Sequence, residues 1–304
     1  MKNPKNHILE AAAAVKNLKK VHILEAAAIL LFLVYMLPFF LVMINSSKPS
    51  LRIIMDPLAF PDNPSQLITN IKLVFDSPNV RYVSSFFSTI IITVVSVALL
   101  VLISSMAAWV LVRTKTKLSN AVFMVFVAAM VIPFQVVMFP LISWFHFLEV
   151  KLGLFETPFR LLQNYPGIIF AYMGFGSSLS IFLFHGFIKS VPLELEEAAT
   201  IDGCTKPETF FKIVFPILTP IAVTVVILNG MWIWNDYLLP LLVLGSGNAV
   251  RTLPLAVAGF VGSFVKKWDL ILTATLMTML PIVIVCLVLQ KHIIKGMVDG
   301  SVKG

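Results

Sequence analysis

Charged residues are scarce in this 304-residue sequence. They make up 12% of it, whereas hydrophobic residues make up 59% and the mean hydropathy is +0.95. Soluble domains carry about 25% charged residues, and a polar shell this small could not cover so much apolar surface. The apolar residues also fall in runs close to the roughly 20 residues that a helix needs to cross a bilayer. The shortage of charge therefore excludes an ordinary soluble protein and predicts an integral membrane protein.

The residues that carry most enzyme chemistry are also sparse. Of the two cysteines, Cys204 lies in a polar loop and Cys286 in an apolar run, so neither a disulfide nor a metal-binding spacing is expected. The five histidines are scattered and form no H-E-x-x-H motif, and the apolar runs hold no paired aspartates. These absences argue against a membrane enzyme.

Ionisable groups are missing from the centres of the apolar runs. Glu25 is the one carboxylate clearly drawn into a run, and it lies near the end of that run, where it can snorkel to the interface. A proton- or sodium-coupled carrier would place ionisable groups near the bilayer midplane. The sequence therefore disfavours an ion-coupled carrier, which stays an alternative.

The formal net charge is +8, but the basic residues flank the apolar runs and form no single patch. This distribution is typical of topology signals rather than of nucleic-acid binding. No cleavable signal peptide is expected, because the first long run starts only after some twenty residues and no small-residue cleavage site follows a short core. The segment His7–Ala13 is repeated as His22–Ala28, either a surface-lying lead-in helix or a neutral duplication.

Six apolar runs predict an all-α membrane protein with six transmembrane helices. Prolines 133, 140 and 281 lie inside the third and sixth runs, where they should kink the helices. We divide the chain into an N-terminal segment (1–23), a transmembrane domain (24–290) and a C-terminal tail (291–304). The six runs are approximately 24–44, 86–112, 121–145, 168–188, 217–234 and 270–289.

The positions of the basic residues predict that both termini are cytoplasmic. With that orientation, fourteen of the 23 basic residues lie on the cytoplasmic side, as the positive-inside rule favours. Trp232, Trp234 and Tyr237 would then form an aromatic belt at the outer end of the fifth helix. The fourteen are Lys2, Lys5, Lys16, Lys19, Lys20, Arg113, Lys115, Lys117, Lys189, Lys206, Lys212, Lys291, Lys295 and Lys303.

A polar loop at residues 190–216 carries explicit helix signals. Pro192 suits a first helical turn, and the acidic residues at 194, 196 and 197 suit the positive helix end. Gly203 should end this helix, since glycine readily adopts the left-handed conformation. Thr205 and Glu208 form a T-x-x-E capping box that starts a second helix, which runs towards Pro216. The loop therefore predicts helix, glycine turn and helix, and the plain alternative is a connector lying on the lipid surface.

The same loop resembles the EAA signature of the permease subunits of ATP-binding-cassette (ABC) importers. Glu197-Ala198-Ala199, three residues, Gly203, nine residues and Ile213-x-Phe215-Pro216 match its spacing, with Phe215 where leucine is usual. The carbohydrate (maltose, raffinose and multiple-sugar) branch is similar in its further segments. These segments are Ile132-Pro133, Gln135-Val136, Trp234-Asn235-Asp236, residues 251–255 and the ending 300–304.

The resemblance implies a type I ABC importer permease fold whose EAA helix docks on a cytoplasmic ATPase. It also implies a second permease subunit, an ATPase dimer, an extracytoplasmic binding protein that delivers a sugar, and the inner membrane of a bacterial or archaeal cell. This chain shows no G-x-x-x-x-G-K-[ST] phosphate loop, so ATP and Mg are expected in the partner ATPase and no cofactor in this chain. The coupling residues implied are Glu197, Ala198, Ala199, Asp202, Gly203, Ile213 and Pro216, with Lys303 as a contact from the C-terminal tail.

Some of these roles have plain alternatives. Glu197 is either a docking contact or a solvated glutamate, Asp202 is either a contact or a helix-end residue, and Lys303 is either a contact or part of a frayed terminus. Polar residues within the runs are candidates for the sugar pathway, although interhelical hydrogen bonding is the commoner role of single Asn, Gln and Ser residues. The pathway candidates are Gln135, Ser177, Ser178, Asn229, Trp232 and Asn235.

The cargo is the least determined feature of the sequence. Related permeases that carry glycerol phosphate share these motifs, and an amino acid or phosphonate is a further alternative. The sister subunit can carry most of the sugar contacts. Sugar is expected from the resemblance alone.

Overall fold

The computed structural model describes the backbone of residues 4–78, 80–261 and 267–301, and the side chains of 22–78, 80–261 and 267–288. Within these ranges the chain is helical and has no β-strand. The helices are α1 (Pro4–Asn45), α2 (Ser50–Met55), α3 (Gln66–Phe75), α4 (Tyr82–Arg113), α5 (Lys117–Ala129), α6 (Phe134–Leu152), α7 (Tyr165–Ile188), α8 (Glu194–Ile201), α9 (Lys206–Thr209), a π-helix (Phe210–Val214), α10 (Phe215–Ile217), α11 (Thr219–Asn235), α12 (Leu238–Val243), α13 (Leu253–Val257), a 3₁₀ turn (Ala258–Phe260) and α14 (Trp268–Ser301).

Four of the described helices are long and apolar enough to cross a membrane without interruption. They lie at His22–Asn45, Tyr82–Arg113, Tyr165–Ile188 and Trp268–Val288. Two further apolar pairs are bent, α5 with α6 by 106° and Lys206–Ile217 with α11 by 75°. Counting each bent pair as one span gives the six that the sequence predicts.

The third predicted span differs most from its expectation. The sequence predicts one kinked helix over 121–145, whereas the structure breaks it between Ala129 and Phe134. Pro133 sits at the break with extended backbone (φ −63°, ψ 136°), and its ring has no N–H to continue a helix. By contrast, Pro140 lies within α6 and Pro281 within α14, and neither ends its helix.

The first helix begins earlier than the apolar run. The run predicts a start near Leu24, but α1 begins at Pro4. The residues between are mostly Ala, Leu, Glu and Lys, which favour helix irrespective of hydropathy. Both copies of the HILEAAA repeat therefore lie in one continuous helix, and the side chains of the first copy are outside the described residues.

The chain divides into two compact units, Met1–Ile71 with Trp268–Leu276 and Lys72–Lys267 with Met277–Gly304. The first unit is organised by polar contacts near the end of α1. Lys48 is 1% exposed, and its ammonium donates to Asn45 Oδ1 (3.0 Å) and to the Asp56 carbonyl (3.1 Å). The Asn70 amide donates to the Ser46 carbonyl at 2.9 Å. These bonds satisfy polar groups that burial would otherwise penalise.

The second unit has two apolar clusters. In one, Leu100 of α4, Tyr172 of α7 and Ile233 of α11 pack together. The other holds Ala108 of α4 and Phe184 of α7 against the 190–218 segment. A Cβ at Gly176 of α7 would lie 2.7 Å from a Leu100 methyl and 2.8 Å from Asn229 Oδ1, so glycine permits this close approach. The second cluster places the polar loop directly against the ends of the long helices.

Candidate functional site

The glycine turn of the 190–216 loop forms as the sequence predicts. The N–H of Cys204 donates to the Ala199 carbonyl at 2.9 Å, and the N–H of Gly203 to the Thr200 carbonyl at 3.1 Å. These two bonds are the Schellman pair that ends a helix, and Gly203 has a φ of +83°. The helix itself begins at Glu194, so Pro192 precedes it rather than occupying its first turn.

The second arm of the loop starts at the predicted capping box. The Glu208 carboxylate accepts from the Thr205 N–H at 2.9 Å and from its hydroxyl at 2.8 Å. Lys212 forms an exposed ion pair with the same carboxylate at 2.9 Å. From Phe210 the helix widens into a π-helix, which the sequence does not predict.

The π-helix precedes a proline that disturbs α-helical bonding. Pro216 has no N–H to donate to the Lys212 carbonyl, and its ring would press on that carbonyl in a regular α-helix. The N–H of Phe215 instead bonds the Phe210 carbonyl, five residues back. A one-turn widening of this kind is common at functional positions.

Most of the predicted coupling residues lie on the exposed side of the loop. Ala199 is buried and Ile213 half-buried. Ile201 was not among the predicted coupling residues, yet its side chain is 86% exposed on the same loop. The exposed predicted residues are Glu197, Ala198, Asp202, Gly203 and Pro216.

A buried ion pair, missed at the sequence level, joins α8 to the end of α4. Glu196 is 8% exposed, and its Oε1 lies 2.7 Å from Arg113 Nη2 and accepts from Arg113 Nε at 2.8 Å. Its Oε2 accepts from Trp109 Nε1 at 3.0 Å. Arg113 also donates to the Val191 carbonyl at 3.0 Å. Arg113 and Glu196 are 83 residues apart in the sequence, so no local pattern indicates this pairing.

A cavity of about 620 Å³ lies beside this ion pair. Trp109, Val110 and Arg113 of α4 form one wall, and Glu197 and Ile201 of α8 belong to the opposite wall. Both carboxylate and apolar groups therefore border one open cleft at the 190–216 loop.

The predicted pathway residues are not brought together into one site. Asn229 is buried, and its amide donates to Ser180 Oγ at 3.1 Å and to the Val225 carbonyl at 3.0 Å, so it joins α11 to α7. The Asn235 amide donates to the Met231 carbonyl of its own helix at 2.8 Å. Gln135 is exposed at the start of α6, Ser177 is half-buried and Ser178 is buried.

Trp232 belongs to a second cluster at the far end of α7 and α11. Its ring is 40% exposed and meets the Tyr172 ring edge-to-face, with centroids 5.4 Å apart. The buried Tyr172 hydroxyl donates to Asp236 Oδ2 at 3.1 Å. Burial raises the pKa of the Asp236 carboxyl, although hydrogen bonds to it act in the other direction. Asp236 was singled out in the sequence as part of the Trp-Asn-Asp segment, whereas no sequence motif indicated Tyr172.

Two further expectations concern the tail and metals. Lys303, the predicted tail contact, lies outside the described residues. Across the part of the chain that the structure describes, no group of three His, Cys, Asp or Glu side chains is arranged to hold a metal ion.

Comparison with known proteins gives concordant matches. Residues 100–299 match the family described as binding-protein-dependent transport system inner membrane component. The chain is 37% identical over 290 residues, 94% of its length, to the whole of the probable starch degradation products transport system permease protein AmyC of Thermoanaerobacterium thermosulfurigenes. It is 41% identical over 223 residues, 73% of this chain and 76% of the relative, to the melibiose/raffinose/stachyose import permease protein MelC of Bacillus subtilis.

A solved structure shares the fold. The crystal structure of a bacterial ABC transporter involved in the import of the acidic polysaccharide alginate matches with a TM-score of 0.67. The match covers 96% of this chain and 98% of that one, at 17% sequence identity.

Proposed function

Because the chain belongs to the family of binding-protein-dependent transport inner membrane components, we propose that it is the permease that carries a neutral oligosaccharide through an ABC importer. The family assignment and the all-α importer permease fold predicted from the sequence are confirmed. Such a chain is a membrane transport subunit, not an enzyme. An importer of this family works with an ATPase and a binding protein.

The exposed face of α8 supports the proposal that the 190–216 loop binds the ATPase. The exposed apolar side chains of Leu193 and Ile201 line the same cleft, and an exposed apolar patch suits a protein interface. Glu197 and Asp202 lie exposed on the same helix and its turn, and Ala198 lets a partner approach the backbone closely. The Schellman turn at Gly203 and the capping box fix the shape of this surface. The ATPase would bind ATP and Mg, and α8 would dock on the ATPase.

The cargo proposal is supported by the chemistry of α7 and α11. Neither helix contains lysine or arginine, which a phosphorylated cargo would favour as partners. The exposed side chains of α11 include Leu228, Met231, Trp232 and Asn235, a mixture of aromatic, apolar and amide groups. Sugars present apolar faces and hydroxyls, so such a mixture suits them better than it suits lipid. Relatives named for starch products and for raffinose agree with this cargo.

The remaining assembly follows from the same proposal. A second permease subunit would complete the pathway, and it would cover part of the exposed surface of α7 and α11. The apolar side chains of α1 between Ile23 and Tyr35 are exposed, as expected of a helix that contacts lipid. The termini would lie in the cytoplasm of a bacterial or archaeal cell.

Transport by the reconstituted complex tests the proposal. Vesicles containing this chain, its sister permease, the ATPase and the binding protein are loaded with ATP and supplied with labelled raffinose, maltotriose or glycerol 3-phosphate. We expect ATP-dependent uptake of a neutral oligosaccharide that survives collapse of ion gradients by ionophores. Uptake of glycerol 3-phosphate alone would contradict the cargo, and uptake driven by an ion gradient without ATP would contradict the coupling.

A further inference from the structure

The Arg113–Glu196 pair ties the coupling helix to a long helix that is distant in sequence. Arg113 is the last residue of α4, and Glu196 is in the first turn of α8. Two guanidinium nitrogens contact one carboxylate oxygen, and the same guanidinium reaches the Val191 carbonyl that leads into α8. A planar, multidentate guanidinium fixes orientation as well as distance. The contact therefore restrains rotation of α8 against α4.

Trp109 extends this contact to the other arm of the loop. Its indole N–H donates to Glu196 Oε2, and its ring packs on Phe210 of the π-helix with centroids 5.3 Å apart. Phe210 is 1% exposed. One turn of α4, from Trp109 to Arg113, thus holds both arms of the loop. We name the three residues Trp109, Arg113 and Glu196 the α4 clamp.

Connection along the chain does not provide the same restraint. The loop continues into α11 through the 75° bend at Leu218 and through the π-helix, where the helical bonding is irregular. A force applied to α8 along the backbone would therefore pass through irregular structure. The α4 clamp is partly buried and multidentate, and it reaches a regular helix of 32 residues.

We propose that Trp109, Arg113 and Glu196 are positioning residues that make α4 move with the coupling helix during transport. The proposal rests on the proposed function, since it requires an ATPase that displaces α8. The clamp stays closed through the cycle, so α8 and the last turn of α4 move as one rigid body. Rearrangement of α4 against α7 and α11, which pack closely at Gly176, then changes access to the pathway.

Conservative substitutions separate this role from folding. Arg113→Lys keeps the charge but loses the multidentate geometry, and Trp109→Phe keeps the packing but loses the N–H donor. We expect each to lower the sugar imported per ATP hydrolysed by about five- to fiftyfold, in the usual range of coupling between sites, while ATP hydrolysis changes less than about twofold. Lys212→Gln is the matched control, because it removes an equally short but exposed ion pair in the same loop. The control is expected to keep the wild-type ratio.

A covalent replacement of the clamp gives the decisive result. Cysteines are placed at 113 and 196 in a Cys204→Ser, Cys286→Ala background that is itself required to transport. Without a cross-linker, the importer that contains this double-cysteine variant should hydrolyse ATP with little sugar uptake. A short bifunctional thiol reagent that joins the two cysteines should restore uptake. If the cross-link blocks transport, the clamp opens during the cycle and the proposal is wrong.

The remaining outcomes are also informative. Wild-type ratios of uptake to ATP hydrolysis in both conservative variants would overturn the clamp while leaving the importer assignment intact. Failure of every variant to assemble with the ATPase, as judged by co-purification, would assign the three residues to folding and overturn it as well. Failure of the unmodified complex to import sugar with ATP would instead refute the proposed function.

Discussion

Three glutamates share the first turn of α8, but the fold uses them differently. Glu196 is buried against Arg113 and Trp109, whereas Glu194 and Glu197 are exposed. The sequence predicts the acidic turn, because charge near a helix start follows from local rules. Which of the three is buried depends on how α8 is rotated against α4, and no local pattern encodes that rotation. The acidic, exposed face of α8 was therefore predictable from the sequence, whereas the buried contact of Glu196 with α4 was not.

Glu149 is a second buried carboxylate that local patterns did not reveal. It is 1% exposed at the end of α6, and its Oε1 accepts from the N–H groups of Leu161 (2.8 Å) and Leu162 (2.7 Å). Removing the acceptor would leave two buried donors without a partner. We expect Glu149→Ala to destabilise the protein by about 2–4 kcal/mol, given the usual penalty for each such group.

The neutral isostere provides the control for this change. Glu149→Gln keeps an acceptor oxygen for the two N–H groups but loses the ion pair with Arg160 Nε, 3.8 Å away, so its melting temperature should fall less than that of the Ala variant. Thermal unfolding in detergent measures both variants. Equal melting temperatures for the Ala and Gln variants would show that the two backbone bonds contribute nothing.

The raised pKa of Asp236 predicts a pH dependence of stability. Burial favours the protonated carboxyl in the folded state, so the folded protein holds this proton to higher pH than the unfolded chain. This group's contribution is therefore most favourable below the ordinary pKa of 3.8 and is lost as pH rises through the folded value. Asp236→Asn cannot ionise, although it weakens the bond from Tyr172.

Comparison with that variant isolates the effect. We expect the melting temperature of the wild type, relative to Asp236→Asn, to fall as pH rises through the acid range. Thermal unfolding over a pH series checks this difference. A difference that is constant, or that rises with pH, would contradict the assigned direction.

At the scale of elements, hydropathy located the long helices and local motifs located the turn. Predicted bounds for the second and fourth spans fall within α4 and α7, because both are continuous apolar helices. The break between Ala129 and Phe134 was expected only as a kink, since a proline fixes local geometry but not the angle that packing then selects. The short helices α2, α3, α12 and α13 were missed, because pieces of this length lack a readable period.

The turn at Gly203, which ends α8, can be tested by substitution. The glycine's φ of +83° is strained for a β-branched residue, and open space around its Cβ means that backbone strain alone decides the outcome. We expect Gly203→Val to insert in the membrane but to uncouple uptake from ATP hydrolysis, whereas Gly203→Asn should retain most coupling because asparagine tolerates this conformation. Uptake per ATP hydrolysed in vesicles measures both variants, and normal coupling in the Val variant would contradict a role of this glycine turn in coupling.

At the scale of the whole molecule, composition settled the membrane class, and the loop motif indicated the family. The family was readable because spacing in the EAA segment follows from a turn, a cap and a proline within one stretch of chain. The cargo was not readable, because the polar residues of the apolar runs come together only in the fold, as Asn229 does with Ser180.

The predicted topology is testable with fusions to this chain. With both termini in the cytoplasm, a green fluorescent protein fused after Gly304 should fluoresce, and alkaline phosphatase fused there should be inactive. A phosphatase fused within the loop after α12, at Ser246, should be active as the control. The reverse pattern would invert the orientation and contradict cytoplasmic docking of α8.

The exposed Ile201 has a consequence for biosynthesis. An apolar side chain that is 86% solvent-accessible on a rigid helix is also what chaperones and proteases recognise in unassembled chains. If the ATPase covers Ile201, as proposed above, the free subunit exposes this side chain until the two assemble. Cells that make this chain in excess should degrade the surplus, so the abundance of the ATPase would set the number of importers in the membrane.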